Sequence, residues 1–442
     1  MRRTHFSTLV AFSLIALGSL VGCDQSTTPE RPTIRLQAVA DPAEAEAYRK
    51  MLDAFQATRP DVEVEFVPVG RHPEHVTRVV TAHAAGNAPD VFLINFRRWG
   101  QFLSHDLLEP VGPLLGDLPS HQPDQFYAPP LEAFTRNGVL LCMPQNVSSL
   151  VVYWNREQFA AAGVAPPQPD WTWTDFHDAA KALTRDLDGD GAIDVYGLDL
   201  DPSIVRLAPF IWQAKGRIVD NTDSPSRFML AGRGGALGLM FLKRLKNEVG
   251  VMPSLRERRG EDPESRFMRG GAAMILQSRV FTPRLRAARG LDWDIAPMPR
   301  YLEAASVLHS DAYCLSRQSQ QRDLARDLIA FATGEQGQAI LARTGRIVPV
   351  RKSVAQSVAF LDPRQAPQSA QVFLDAIPSL RRTPNTPTWY EIETRINPIL
   401  EEWMFEPAGR MAGEANYGLV DGVRVAGMIQ EAAQHLLRDT QP

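Results

Sequence analysis

Thr33 to Ala40 sets Ile34, Leu36 and Ala38 against Arg35 and Gln37, an alternation that predicts a strand. Asp41-Pro42 then opens a helix: Asp41 is placed as N-cap, Pro42 in the first helical turn, and Glu44 closes a capping box. Ala45, Tyr48, Leu52 and Phe55 continue at helical spacing. Asp61 to Val69 alternates again through Val62, Val64 and Phe66, and Glu74 to Ala85 reads as a second helix through Val76, Val79 and Val80. Val91 to Ile94 is short and wholly apolar, as in a buried parallel sheet. Strands alternating with helices predict an α/β domain with right-handed crossovers.

The middle of the chain reads differently. Pro166 to Trp173 is a Pro/Trp-rich loop, Thr174 is a natural N-cap, and Asp175 to Arg185 is helical. Asp186 to Asp194 is an acidic, Gly-containing loop. Ala236 to Asn247 carries Leu237, Met240, Phe241 and Leu245 at helical spacing, and strand–helix alternation returns from Ser306 to Ala332. No internal repeat or low-complexity block is evident.

Composition adds exclusions. The 442 residues are 44% hydrophobic and 22% charged, which is ordinary globular material with length for two or three domains. The net charge of −4 leaves no electrostatic footprint for nucleic acid. Three cysteines without a CxxC pair exclude zinc ribbons and disulfide scaffolds. Cys142 and Cys314 both lie in apolar runs. They could pair in an oxidising compartment or remain two buried thiols, and the sequence reading favours thiols.

The N-terminus carries an address. Arg2 and Arg3 precede an apolar run, Phe6 to Leu20, that is short for a membrane span. The run ends Leu20-Val21-Gly22-Cys23, which resembles a bacterial lipobox. The resemblance implies a lipoprotein signal peptide over 1–22, lipidation at Cys23 and a polar tether over 23–32. Asp24 resembles the Gram-negative signal for retention on the inner membrane. The expected location is therefore the periplasmic face of that membrane, with the protein held by its acyl chains. No later segment reaches about 18 continuous apolar residues.

Several stretches in order resemble the extracellular solute-binding proteins, family 1, of ABC importers, which include maltose-binding-protein-like sugar binders. They are Ala84-Ala85-Gly86-Asn87-Ala88-Pro89-Asp90-Val91-Phe92, Leu107-Leu108-Glu109-Pro110, Gly138 to Pro144, Tyr153-Trp154-Asn155-Arg156, Thr172-Trp173, Tyr196-Gly197, Phe267 to Met274 and Ala296-Pro297-Met298-Pro299. The resemblance implies an α/β, two-lobed periplasmic-binding-protein fold with a hinge and an interlobe ligand cleft. Carried over, lobe one is 33–146 plus 306–350 and lobe two is 147–305 plus 351–442. Its partners would be a small sugar or polyol and the permease subunits of an importer. The protein would be a monomer, tied to the membrane by lipid alone, with no required cofactor.

A sugar presents hydroxyls and apolar C–H faces, so its site needs polar side chains and aromatic plates. Asn95 and Arg97 follow the apolar strand, where ligands of parallel sheets bind. Asn146 and Ser148 follow Pro144 at the first crossover. The maltose-binding relative is acidic at the position of Ser148, which argues against maltose itself. Trp212, beside Phe210, and Trp389-Tyr390 match family segments that carry aromatic plates, and Trp389 is the preferred stacking residue. Arg279 departs from the family pattern and offers a fork for vicinal hydroxyls or an acidic group. Asp311, in His309-Ser310-Asp311, offers a carboxylate for sugar hydroxyls. The aromatics and Asp311 favour a neutral carbohydrate or polyol; convergence of Arg97, Arg98 and Arg279 would favour an anion.

Asp186, Asp188, Asp190 and Asp194 resemble the first part of an EF-hand-like loop, with Gly191 at the turn, and suggest a structural calcium. The position-12 glutamate is absent, its place being Gly197. Two other function classes fit the same frame: a secreted glycan-acting hydrolase and a solute-sensing receptor subunit. No GxSxG, HExxH or P-loop supports an enzyme, so a non-enzymatic receptor is the expected reading.

Overall fold

The computed structural model describes residues 31–103, 106–247, 249–405 and 419–438. Cys23, the 1–22 leader and all but the last two residues of the 23–32 tether lie outside them. Among the described residues no helix is long and apolar enough to cross a membrane.

The first element is β1 (Thr33–Val39), which feeds α1 (Pro42–Thr58) through the expected capping box: Asp41 accepts the N–H groups of Ala43 and Glu44, and Glu44 accepts the Asp41 N–H. β2 (Glu63–Val69), α2 (His72–Ala84) and β3 (Val91–Asn95) complete two strand–helix–strand units, and both β2 and β3 run parallel to β1. Helix α3 (Phe96–Leu103) springs directly from the end of β3. Then follow β4 (Leu108–Glu109), β5 (Cys142–Pro144), β6 (Val151–Asn155), α4 (Trp173–Leu183), α5 (Ile204–Gln213), α6 (Arg233–Asn247), β7 (Met274–Gln277), β8 (Trp293–Ala296) and β9 (Asp311–Ser316). Helices α7 (Arg322–Ala332), α8 (Glu335–Arg343), α9 (Trp389–Phe405) and α10 (Leu419–Arg438) close the chain.

Two sheets organise two α/β lobes. Lobe one is built on the sheet β2-β1-β3-β9-β4, with β5 also pairing β9; α1, α7 and α8 pack together against it. Lobe two is built on the antiparallel sheet β8-β6-β7. Its large core gathers Trp171, Trp173, Phe176, Phe210, Leu239, Trp389, Leu400 and Trp403 from helices α4, α5, α6 and α9 and the loop before α4. Between the lobes, chain passes lie side by side. Ser148 and His309 exchange both backbone hydrogen bonds at 2.8 Å, and the Val147 N–H donates to the Val348 carbonyl.

Two expectations are corrected. Thr172, not Thr174, caps α4: its hydroxyl accepts the Asp175 N–H while Asp175 accepts the Thr172 N–H at 2.7 Å, so Trp173 is already helical. Cys142 and Cys314 form a disulfide rather than two thiols. The antiparallel pairing of β5 with β9 sets them directly opposite, Cα to Cα 4.4 Å, a separation that sequence distance cannot reveal.

Candidate functional site

The floor between the lobes is built around Asp311. It is the first residue of β9, opposite Asn95 at the end of β3. Asn95 Nδ2 donates to one carboxylate oxygen at 2.9 Å, and Asn146 Nδ2 donates to the other at 3.0 Å. The Asp311 N–H returns to Asn146 Oδ1, and the Ser310 hydroxyl donates to the Asn146 carbonyl. A strand end and two connecting segments therefore hold one half-buried carboxylate, with two neutral amides fixing its orientation. Behind it a buried chain links Tyr48, Gln145 and Tyr313. Three of the expected ligand residues, Asn95, Asn146 and Asp311, are thus brought together, and Ser148 stands two residues from Asn146 in the connecting segment that bridges to His309.

Cationic groups gather beside this floor. His72, at the start of α2, is held below its ordinary pKa by lost hydration; Asp311 opposes this, and Arg98, Arg97 and Arg346 add to it. Burial pushes Arg98 down to about 10, helped by Arg97. His309 is pushed down to about 3 by burial, with Arg97 and Arg206 adding repulsion, so it is neutral at physiological pH. Arg206, in the first turn of α5, pairs with Asp201 at 3.1 Å, and Arg346 pairs with Glu44. Arg206, Arg346 and His72 escaped sequence reasoning, because the approach of Arg346 and His72 to Asp311, and of Arg206 to His309, is a tertiary fact.

Other expected ligand residues are spent on the protein itself. Arg97 forks onto Glu393 of α9, with Nη2 at 2.5 Å and Nε at 3.2 Å, and Trp389 Nε1 donates to the same carboxylate at 2.9 Å. Arg98 lies 3.2 Å over the ring of Tyr390. Gly100 donates its N–H to Asn385 Oδ1 at 2.6 Å; a Cβ there would fall 2.5 Å from that oxygen, so only glycine permits this approach. Helix α3 of lobe one is in this way docked on α9 of lobe two.

The stacking role of Trp389 is corrected on these grounds: its ring is fully buried in the lobe-two core and presents no face to a ligand in this conformation. Trp212 is also core, 5% exposed, and borders a hollow of about 320 Å³ beside Arg381 and Arg382. Arg279 does not converge with Arg97 and Arg98. It is 1% exposed, lies over Phe360 and Phe373, and donates Nε to the Gly345 carbonyl. A larger groove of about 780 Å³ on lobe two, beside the stacked rings of Phe241, Trp173 and Tyr301, contains none of the expected ligand residues.

In the acidic loop, carboxylate oxygens of Asp186, Asp188 and Asp194 lie within 4.8 Å of one another. Asp190 is not in that group; it accepts the Ala192 N–H. The N–H groups of Gly191 and Gly189 hold the Asp186 carboxyl below its usual range.

Comparison with known proteins agrees with this architecture. The sn-glycerol-3-phosphate-binding periplasmic protein UgpB of Pectobacterium atrosepticum is 24% identical over 190 residues, 41% of each chain, and that of Escherichia coli K12 is 25% identical over 187 residues. The match thus spans about two fifths of these relatives' length. Among solved structures, Lmo0181 of Listeria monocytogenes, an ABC substrate-binding protein in complex with cycloalternan, superposes with a TM-score of 0.78 at 20% identity, covering 91% of this chain and 99% of that one. The sugar-binding protein MalE of Xanthomonas citri gives 0.77 at 19% identity, covering 92% and 98%. These likenesses establish the two-lobed fold. The family profile for bacterial extracellular solute-binding proteins matches residues 50–368, nearly three quarters of the chain, and the protein belongs to that family.

Proposed function

We propose that this protein is the capture subunit of an ABC importer, binding a carbohydrate or polyol between its lobes and delivering it to a membrane permease. The lobe boundaries expected from sequence, 33–146 plus 306–350 and 147–305 plus 351–442, are retained. The observation that carries the reading is the Asp311 carboxylate, presented by Asn95 and Asn146 beside the connecting segments. Such a group accepts strongly from hydroxyls, and it sits where movement of one lobe on the other would close over a solute. The relatives are named for sn-glycerol 3-phosphate and the solved neighbours for oligosaccharide or sugar binding. Polyhydroxylated solutes are common to both. The carboxylates beside the floor favour a receptor over a glycosidase, which needs two working carboxyl groups flanking one bond. Glu44 is committed to Arg346, Glu393 to Arg97 and Trp389, and Asp311 to two amides.

The test is calorimetry against sugars, polyols and their phosphates. Saturable one-to-one binding without turnover is expected. Asp311→Asn should weaken it by about 10-fold, the scale of one charge-assisted hydrogen bond reduced to a neutral one. Turnover, or full affinity in that variant, would remove Asp311 from the role.

The lipid anchor and the calcium are part of the same proposal. Cys23→Ala is expected to move the protein from the membrane fraction to the soluble periplasmic fraction. A hard cation held by Asp186, Asp188 and Asp194 would make the melting temperature fall on chelation, and Asp188→Ala would abolish that response. An unchanged wild-type melting curve in chelator discards the metal.

A further inference from the structure

The floor around Asp311 has a neighbour of opposite character. Ser203 is the N-cap residue of α5 but its side chain makes no capping bond; its hydroxyl is more than nine-tenths buried and has no partner. The first helical N–H, from Ile204, donates instead to Asn397 Oδ1 of α9 at 3.0 Å. Asn397 lies one turn beyond Glu393 on the same face of α9, and Glu393 holds Arg97. Side chains four apart on a helix are about 6 Å from each other. The N-terminal ends of α3 from lobe one and α5 from lobe two are therefore brought to adjacent points on α9.

Each end carries a guanidinium in its first turn. Arg97 commits Nε and Nη2 to Glu393, which leaves its third nitrogen, and Arg206 commits one nitrogen to Asp201. The two carboxylates orient these forks without using all their donors. His309 belongs to the same cluster, with Nε2 buried and unpartnered, and the charges acting on it are Arg97 and Arg206. Buried polar atoms without partners are uncommon and call for one. Two partly committed guanidiniums, a hydroxyl and a neutral imidazole offer donors here, while the leading helix N–H groups are already spent, Ile204 on Asn397 and Phe96 and Arg97 on the Ser310 carbonyl and Asn95 Oδ1.

Resting on the capture reading above, we propose that Arg97, Ser203, Arg206 and His309 form a subsite for an anionic oxygen group, and that the solute is a polyol or monosaccharide carrying one phosphate or carboxylate. Its hydroxyls meet Asp311, Asn95 and Asn146, and its anionic end meets the four donors. The two ends are close: His309 is two residues before Asp311 along the connecting segment, about 7 Å of extended chain, and Arg97, in the first turn of α3, donates its N–H to Asn95 Oδ1. Such a length suits a glycerol- to hexose-sized solute. The carboxylate at the other end turns the anion away from Asp311, so the site reads orientation as well as charge.

The experiment is calorimetry on the full chain with matched probes: glycerol against sn-glycerol 3-phosphate, and glucose against glucose 6-phosphate and glucuronate, each at low and high salt. The charged member is expected to bind at least ~10-fold more tightly than its neutral partner at low salt, with the advantage shrinking at high salt. The two charged hexoses decide between phosphate and carboxylate. Arg206→Gln should erase the advantage and leave affinity for the neutral member within about a factor of two, with Ser203→Ala giving a partial loss if that variant folds poorly. Equal affinity within every pair would overturn the anionic subsite and leave the capture reading standing. Absence of binding by every probe would overturn the capture reading, and the subsite with it.

Discussion

Replacing both Cys142 and Cys314 by serine is expected to lower the free energy of unfolding by about 3–5 kcal/mol, read from denaturant curves. The bond closes a loop of 172 residues, and loop-closure entropy removed from the unfolded chain grows with the logarithm of that length. Both cysteines are fully buried, and they tie β5 to β9, the strand that begins with Asp311. Between them the chain runs out through the whole of the three-stranded sheet and returns. Such a bond belongs to an oxidising compartment, in keeping with an extracellular solute-binding protein. Denaturation curves that coincide with and without reductant would show that the pair contributes nothing.

The second large effect is expected from Glu393→Ala, about 2–4 kcal/mol of stability, because it removes one partner of a largely desolvated ion pair. Glu393 is 2% exposed and Arg97 is 26% exposed, so the stranded guanidinium recovers part of its hydration and the loss stays below that of a fully buried pair. The Trp389 indole N–H, fully buried, loses its acceptor at the same time. Glu393→Gln should cost clearly less, since the amide oxygen still accepts from one of the two donors. The readout that separates docking from general stability is small-angle scattering. The alanine variant should be less compact than the parent if the α3–α9 contact holds the lobes together, and unchanged dimensions would argue against that role.

Much of lobe one was legible in the residues. The capping box at Asp41 and Glu44 appears as expected, because caps are local hydrogen bonds between residues three apart. The strand alternation at Ile34, Leu36 and Ala38 becomes a buried face for the same reason of short range. Helix α4 began two residues early: both Thr172 and Thr174 can cap, and only the reciprocal bond with Asp175 chooses between them. At the site, Asn95, Asn146 and Asp311 were identified from strand ends and crossover positions, and they meet as a cluster. The aromatic plates fared otherwise. Trp389 and Trp212 bear the side chains a sugar site needs, yet both are packed into the lobe-two core.

What the sequence by itself determined was therefore the opening strand–helix alternation of lobe one and the family to which the ordered motifs point. These depend on periodicity and spacing along a few tens of residues, where the physics is short-range. Only the tertiary structure decided what distant segments do to one another. It paired Cys142 with Cys314 through strand register, and it turned Arg97 onto Glu393, 296 residues away. It set Arg279 over Phe360 and Phe373 with Nε on the Gly345 carbonyl, away from Arg97, and it brought the ends of α3 and α5 to one face of α9. A side chain's chemistry is written in its residue type, but its partner is set by how helices and sheets pack, and no local pattern encodes that distance.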